Sequence, residues 1–342
     1  MPSFPPFRSR PGAAALDRNL ALEVVRVTEG SALAASSWVG RGDERAADEA
    51  AVAAMRRALN SLAMDGVIAN GEGQSEDVPL HTGEMVGSGS GPKVDIALFA
   101  LEGRTACAKG GHNTMSLVAL TDDGGFLKVP DDIHMEKLAV GPGLPPGILD
   151  LDIPPAEMVA RVAIAKHVPA SEITACVLDR PRHGKLISAL YDAGVKVVLI
   201  DDGDVSGAIA AGLPESSIDI YMGSGGAAQG VLAAAGLKCL GGQMQSRFLA
   251  RHEDERLRCH RFGIDDLNRK LDIGQMVSGE VMLAATGVTD GHLLKGVARR
   301  GEKAESHSVV MRSLTGTVRW LTAHHDLSKL GEHGLGRPGN VH

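Results

Sequence analysis

The chain lacks any run of about 18 or more consecutive apolar residues, so no membrane-spanning helix is expected. It lacks an excess of positive charge as well: the formal net charge is -7, which argues against a nucleic-acid or anionic-membrane surface, since both need a clustered positive field. Paired cysteines are missing. Cys107, Cys176, Cys239 and Cys259 form neither a CxxC pair nor a zinc-like cluster, and they read as reduced core thiols of a cytoplasmic protein. The stretch Met1 to Arg10 is Pro-rich and has no apolar run of the signal-peptide kind. What remains is a chain of 342 residues, 44% hydrophobic and 23% charged, long enough for two modest domains each with its own core.

Periodicity organises the chain as α/β. Leu20, Val24 and Val27 recur at helical spacing, and Val52, Met55, Leu59 and Leu62 mark a second helix whose start lies just after Asp43. Val67–Ala69 and Val94–Leu98 read as buried strands that end in the acidic turns Gly71-Glu72-Gly73 and Glu102-Gly103-Arg104. Ser116–Thr121 continues the same domain as a strand. Beyond Pro154, strands at 174–178, 195–200 and 218–222 alternate with helices at 156–168, 185–193 and 205–211, the pattern of a parallel sheet with crossover helices. The stretch 276–321 reads as β-rich, free to join either sheet. The expected division is a loose tail at 1–15, one domain at 16–150, a second at 151–327, and a Gly-rich, disordered tail at 328–342.

Charged residues gather at the strand ends, the usual place for a site in a layered α/β fold. Arg180 and Arg182 flank Pro181 after the strand at 174–178, so two guanidinium forks point at one sheet edge; an exposed polar loop would carry the same residues. Asp202 and Asp204 follow the next strand, and Gly226 sits in a Gly-rich turn that lets backbone amides approach a ligand. Gly223-Ser224-Gly225-Gly226-Ala227-Ala228 formally fits the dinucleotide fingerprint, but Lys238–Ser246 holds no carboxylate to bind a ribose, which argues against a nicotinamide site. Ser224 lacks the GxSxG spacing of a hydrolase elbow, and His112, His183, His324 and His325 show no metal spacing.

Five segments in one order, Gly40-Arg41-Gly42-Asp43, Gly71–Asp77, the turn at 99–105, Asp179–His183 and Asp202-Gly203-Asp204 with Gly223–Gly226, resemble the class II fructose-1,6-bisphosphatases, a branch of the lithium-sensitive sugar-phosphatase superfamily. The resemblance runs from Leu16 to Leu327. It implies a layered α/β sandwich of the sugar-phosphatase type and metal-dependent hydrolysis of the 1-phosphate of fructose 1,6-bisphosphate in gluconeogenesis. It also implies a cytoplasmic, homo-oligomeric protein with no nucleic-acid or membrane partner.

By the same resemblance Mn²⁺ or Mg²⁺ would sit on Asp43, Glu72 and Glu102, hard cations preferring oxygen ligands. Arg180 and Arg182 would clamp the non-reacting phosphate, Asp202 and Asp204 would accept sugar hydroxyls, and Gly103 and Gly226 would present backbone to the ligand. His134 stands where the family usually has a Tyr that touches the sugar phosphate. At the second metal the family's Asp and later Glu fall on Phe99 and Gln229, and its water-orienting Thr on Arg104, beside Glu102 in the catalytic turn. These changes shift the local charge by about three units toward positive, so one metal site is expected to remain and full activity is not. Arg104 is open to two readings: a solvated surface arginine, or a guanidinium in the vacated metal position that clamps phosphate. Three outcomes stay open: slow bisphosphatase turnover, a degenerate paralogue that binds sugar phosphates or an active homologue without chemistry, and specificity moved to another phosphate ester.

Overall fold

Alternation along Lys93–Glu102 shows how the core divides. Val94, Ile96 and Leu98 pack on one side with the helices Arg18–Ser36 and Glu44–Asn60, while Ala97 and Phe99 face the opposite side. Both faces are buried, so this sheet carries helices on each side. The computed structural model describes residues 18–332, and the expected tail at 1–15 lies outside them.

Two mixed sheets build the α/β fold. The first has eight strands in the order 298–300, 303–312, 281–287, 115–122, 93–102, 65–70 and 85–86, with Thr317–Asp326 along the other flank of Lys303–Arg312. Among the described residues only the pair Asp65–Asn70 and Lys93–Glu102 is parallel there. The second has six strands in the order 271–272, 243–249, 134–140, 220–226, 174–178 and 196–200. The expected parallel sheet holds for Thr174–Leu178 and its two neighbours; His134–Val140, Gln243–Leu249 and Leu271–Asp272 join antiparallel, through pairings too distant in sequence for local alternation to reveal.

Between the sheets lies a layer made by Asp204–Ala210 and Ala227–Leu240. The latter helix, Ala-Ala-Gln-Gly-Val-Leu-Ala-Ala-Ala-Gly-Leu-Lys-Cys-Leu, is buried almost all round, and its small residues permit close approach: a Cβ on Gly236 would fall 2.5 Å from Ile209. The helices Pro155–Lys166 and Gly184–Asp192 cover the outer face of the second sheet. The result is a helix–sheet–helix–sheet–helix sandwich.

The expected division at residue 150 does not separate the sheets, because His134–Val140 belongs to the second and the strands at 281–326 return to the first. Leu327–Glu332 forms a short helix where the loose tail was expected to begin; 333–342 lie outside the described residues. Among the described residues no helix is long and apolar enough to cross a membrane.

Candidate active site

Strands from both sheets end around one cleft. The first sheet sends Glu72, just past Asp65–Asn70, and Glu102, the last residue of Lys93–Glu102; the second sends Arg180, Asp202, Gly225 and Gly226 from the ends of three strands. They line a cavity of about 530 Å³, a size suited to a small phosphorylated ligand. Phe99, Gly103, Arg104, His134, Arg182, Asp204 and Gln229 complete the convergence of expected residues. A larger hollow of about 940 Å³ adjoins it, shares His134 and Arg182, and mixes charged side chains such as Arg247, Arg251 and Asp265 with apolar ones such as Phe248 and Leu267. The residues expected from the sequence converge on the smaller cavity, where the strand ends of the two sheets face each other.

One expected residue is absent from that wall. Asp43 is exposed and caps the helix Glu44–Asn60, its Oδ1 accepting from the Ala46 amide at 2.9 Å. The carboxylate that faces Glu72 is Asp48, one turn further along the same helix. Its Oδ2 lies 3.3 Å from Nη1 of Arg104, and its Oδ1 is buried with no hydrogen-bond partner. Glu72 in turn accepts at 2.6 Å from the Ala100 amide. Burial pushes the Glu72 carboxyl up to about 7, with the Asp48 carboxylate adding to the rise and the Ala100 amide and Arg104 opposing it.

Glu102 belongs to a different group of charges. A register shift between Phe99 and Glu102 in the pairing with the neighbouring strand re-aims the chain, and the Glu102 carboxylate accepts from the Val205 amide at 3.0 Å. Its Oε2 is buried without a partner. Burial pushes this carboxyl up to about 8 against the pull of the Val205 amide, and Asp202 and Asp204 raise it further. The expected trio Asp43, Glu72 and Glu102 is therefore not assembled: the first caps a helix, the second faces Asp48 and Arg104, and the third faces across to the second sheet.

Asp204 is bound up in structure. Tyr221 donates its hydroxyl to one carboxylate oxygen and Lys137 its ammonium to the other, while Lys137 Nζ also reaches the Gly226 carbonyl at 2.8 Å. Lys137 is 1% exposed, so this is a buried, paired charge rather than a free acceptor for a sugar hydroxyl. Asp202 is freer. It lies 3.9 Å from Arg180, and its carboxyl is raised by burial despite the Gly203 amide and that guanidinium.

Arg182 donates to the Ser224 carbonyl from Nη2 at 2.7 Å and from Nε at 3.2 Å, which ties it to the Gly-rich turn. The same turn is fixed by His183, whose Nε2 accepts from the Ser224 amide at 2.9 Å and whose Nδ1 therefore carries the proton toward Leu178 O at 2.8 Å. His134 keeps a buried, unpartnered Nδ1 at the cavity wall, and burial, then Arg182 and Arg251, lower its pKa. Gly226 leaves room for Gln229, since a Cβ there would sit 1.9 Å from Gln229 Oε1. At Gly103, φ of +85° places the chain in the left-handed region within reach of Asp202.

Asp48, Lys137 and Tyr221 escaped the reading of the sequence. Lys137 had a signal: a lone cation at an inward position of an alternating strand needs a buried partner. Asp48 had little, being one of several acids in a solvated-looking first two turns.

Residues 18–325 match the family described as bacterial fructose-1,6-bisphosphatase, glpX-encoded. The chain belongs to the class 2 fructose-1,6-bisphosphatase family. Over 327 residues it is 42% identical to the Escherichia coli (strain K12) protein named fructose-1,6-bisphosphatase 1 class 2, which covers 91% of this chain and 96% of that relative. A class 2 fructose-1,6-bisphosphatase of Shigella flexneri matches with the same identity and coverage.

Members of this fructose-bisphosphatase family are metal-dependent phosphatases. The donor set here does not fit such an ion. Among the described residues no group of three or more His, Cys, Asp or Glu could hold a metal. Asp48 is paired with Arg104, Phe99 packs against the central layer, and Gln229 brings a neutral amide.

Proposed function

We propose that this fructose-bisphosphatase homologue binds fructose 1,6-bisphosphate, or a closely similar sugar bisphosphate, in the 530 Å³ cleft and hydrolyses the 1-phosphate at a much reduced rate. The observation that carries this reading is the convergence of Arg180, Arg182, Asp202 and Gly226 from one sheet on Glu72, Gly103 and Arg104 from the other. Arg180 and Arg182 would hold the remote phosphate as bidentate forks, Asp202 would accept a sugar hydroxyl, and Gly226 would present backbone. Burial pushes the carboxyls of Glu72 and Glu102 up to about 7 and 8, so at neutral pH they oppose a phosphate dianion with less than two full negative charges. Loss of acid at positions 99 and 229 removes the electrostatic means of activating water, so turnover falls by roughly a hundredfold or more.

A second reading, binding without turnover as a degenerate paralogue, is favoured by the Arg104–Asp48 contact at 3.3 Å, which places a fixed cation among the remaining carboxylates. The two part on phosphate release from a panel of sugar bisphosphates with Mn²⁺, using the combined variant F99D, R104T and Q229E as control. Slow release by the natural chain and a large gain in the variant support reduced turnover; release only by the variant supports pure binding. Absence of binding to every bisphosphate of the panel overturns both. The same reading makes the eight-stranded sheet the reacting-phosphate side and the six-stranded sheet the sugar-phosphate side of a cytoplasmic homo-oligomer. The buried free cysteines support the compartment, and the open edge of Thr317–Asp326, with Trp320 half-exposed, supports self-association.

A further inference from the structure

We propose that Arg104 is a built-in counter-ion, standing between Asp48, Glu72 and the cavity in place of a divalent metal, so that this cleft binds a phosphoryl group without one. The inference rests on the reading of the cavity as a phosphate-ester site and deepens it. Arg104 opens the short helix Arg104–Lys109 directly after Gly103, and its Nη1 lies 3.3 Å from Asp48 Oδ2. A guanidinium carries five N–H donors; one faces Asp48, and the side chain is 58% exposed, which leaves donors for a phosphate in the cavity it lines.

Charge balance points the same way. The Asp48 carboxylate acts on Glu72 at this wall, and the Arg104 guanidinium opposes the negative charge of both. A divalent ion entering here would meet that guanidinium as a like charge, with Phe99 and Gln229 offering no anion in exchange. Removal of the guanidinium would leave two acids facing each other uncompensated, an arrangement that attracts a cation.

The test has two arms. Full-length protein stripped of metal is titrated with Mn²⁺ and followed by electron paramagnetic resonance, for the natural chain, Arg104→Thr, Arg104→Lys and Asp48→Asn. The natural chain should bind Mn²⁺ no better than Asp48→Asn, and Arg104→Thr should gain one site. In the second arm fructose 1,6-bisphosphate is titrated calorimetrically in chelator. The natural chain should bind, Arg104→Lys should stay within several-fold, and Arg104→Thr should lose roughly 10- to 100-fold, the weight of hydrogen bonds to a charged group. A tight Mn²⁺ site in the natural chain that Asp48→Asn abolishes would overturn the proposal, as would bisphosphate affinity in chelator that Arg104→Thr leaves unchanged. The Mn²⁺ arm uses no sugar, so failure of the bisphosphate reading alone leaves its outcome intact. Arg104 is exposed and makes one ion pair, so its variants fold, and thermal melting checks this.

Discussion

Replacing Lys137 with Met should destabilise the protein more than any surface change near the cleft. The side chain is fully enclosed, its ammonium donates to Asp204 and to the Gly226 carbonyl, and Tyr221 completes the set from the other side of Asp204. The substitution preserves length and apolar stem but leaves a buried carboxylate with one neutral donor and a buried carbonyl with none. Breaking one partner of a buried ion pair costs about 3–5 kcal/mol. For a chain of this size that corresponds to a fall in melting temperature of roughly 4–7 °C. Removing both charges is a different perturbation: the double variant Lys137→Met, Asp204→Leu should cost less than the sum of the two single variants, since neither ion is then left unpaired. Thermal melts followed by circular dichroism, run as a double-mutant cycle, measure this. A single variant within 1 kcal/mol of the natural chain, or a strictly additive double variant, would refute the view of Lys137–Asp204 as a coupled buried pair. The cycle also bears on function, because the same ammonium steadies the Gly226 turn at the cavity wall.

Gly225→Ala should act on the same network from the backbone, since a Cβ there would fall 2.0 Å from Asp204 Oδ2; melts should show a loss comparable to that of Lys137→Met, and an unchanged melting temperature would contradict the packing described. Glu72 and Glu102 bind their protons more tightly when folded than when unfolded, so protonation favours the fold: stability is greatest near the unfolded value of 4.5 and declines as pH rises through about 7 and 8. The decline approaches about 1.4 kcal/mol per pH unit for each carboxyl, and denaturant melts across pH 5 to 9 should flatten in Glu72→Gln and Glu102→Gln; equal slopes in all three proteins would contradict it. Arg182→Ala should weaken fructose 1,6-bisphosphate binding by roughly tenfold or more, read by calorimetry, and an unchanged affinity would remove Arg182 from the proposed clamp.

Much of the layout was legible from local pattern. Thr174–Leu178 is legible to the residue, because a short apolar run between a helix and a polar turn favours a buried strand. Both acidic turns and the Arg-Pro-Arg turn are legible because strand ends are where a layered α/β fold gathers charged side chains around a cleft. The partners were harder. His134–Val140 pairs with Ile220–Gly226 and Gln243–Leu249, contacts set by tertiary packing that leave no periodic trace in any one segment. Asp43 attracted attention as a carboxylate beside a helix start, and capping is what it does; Asp48 reaches the cleft only because the helix Glu44–Asn60 turns that side toward Arg104. Asp204 reads as a free acceptor from local sequence, because Lys137 and Tyr221 close on it only through tertiary packing.

On the proposal above, this cleft carries its own cation. It is tested most directly by a crystal structure of the protein soaked with Mn²⁺ and fructose 1,6-bisphosphate, with anomalous data collected at the manganese edge. A phosphate on the Arg104 guanidinium and no manganese peak between Asp48 and Glu72 are expected. A manganese ion bound by those two carboxylates, with Arg104 swung away, would contradict it.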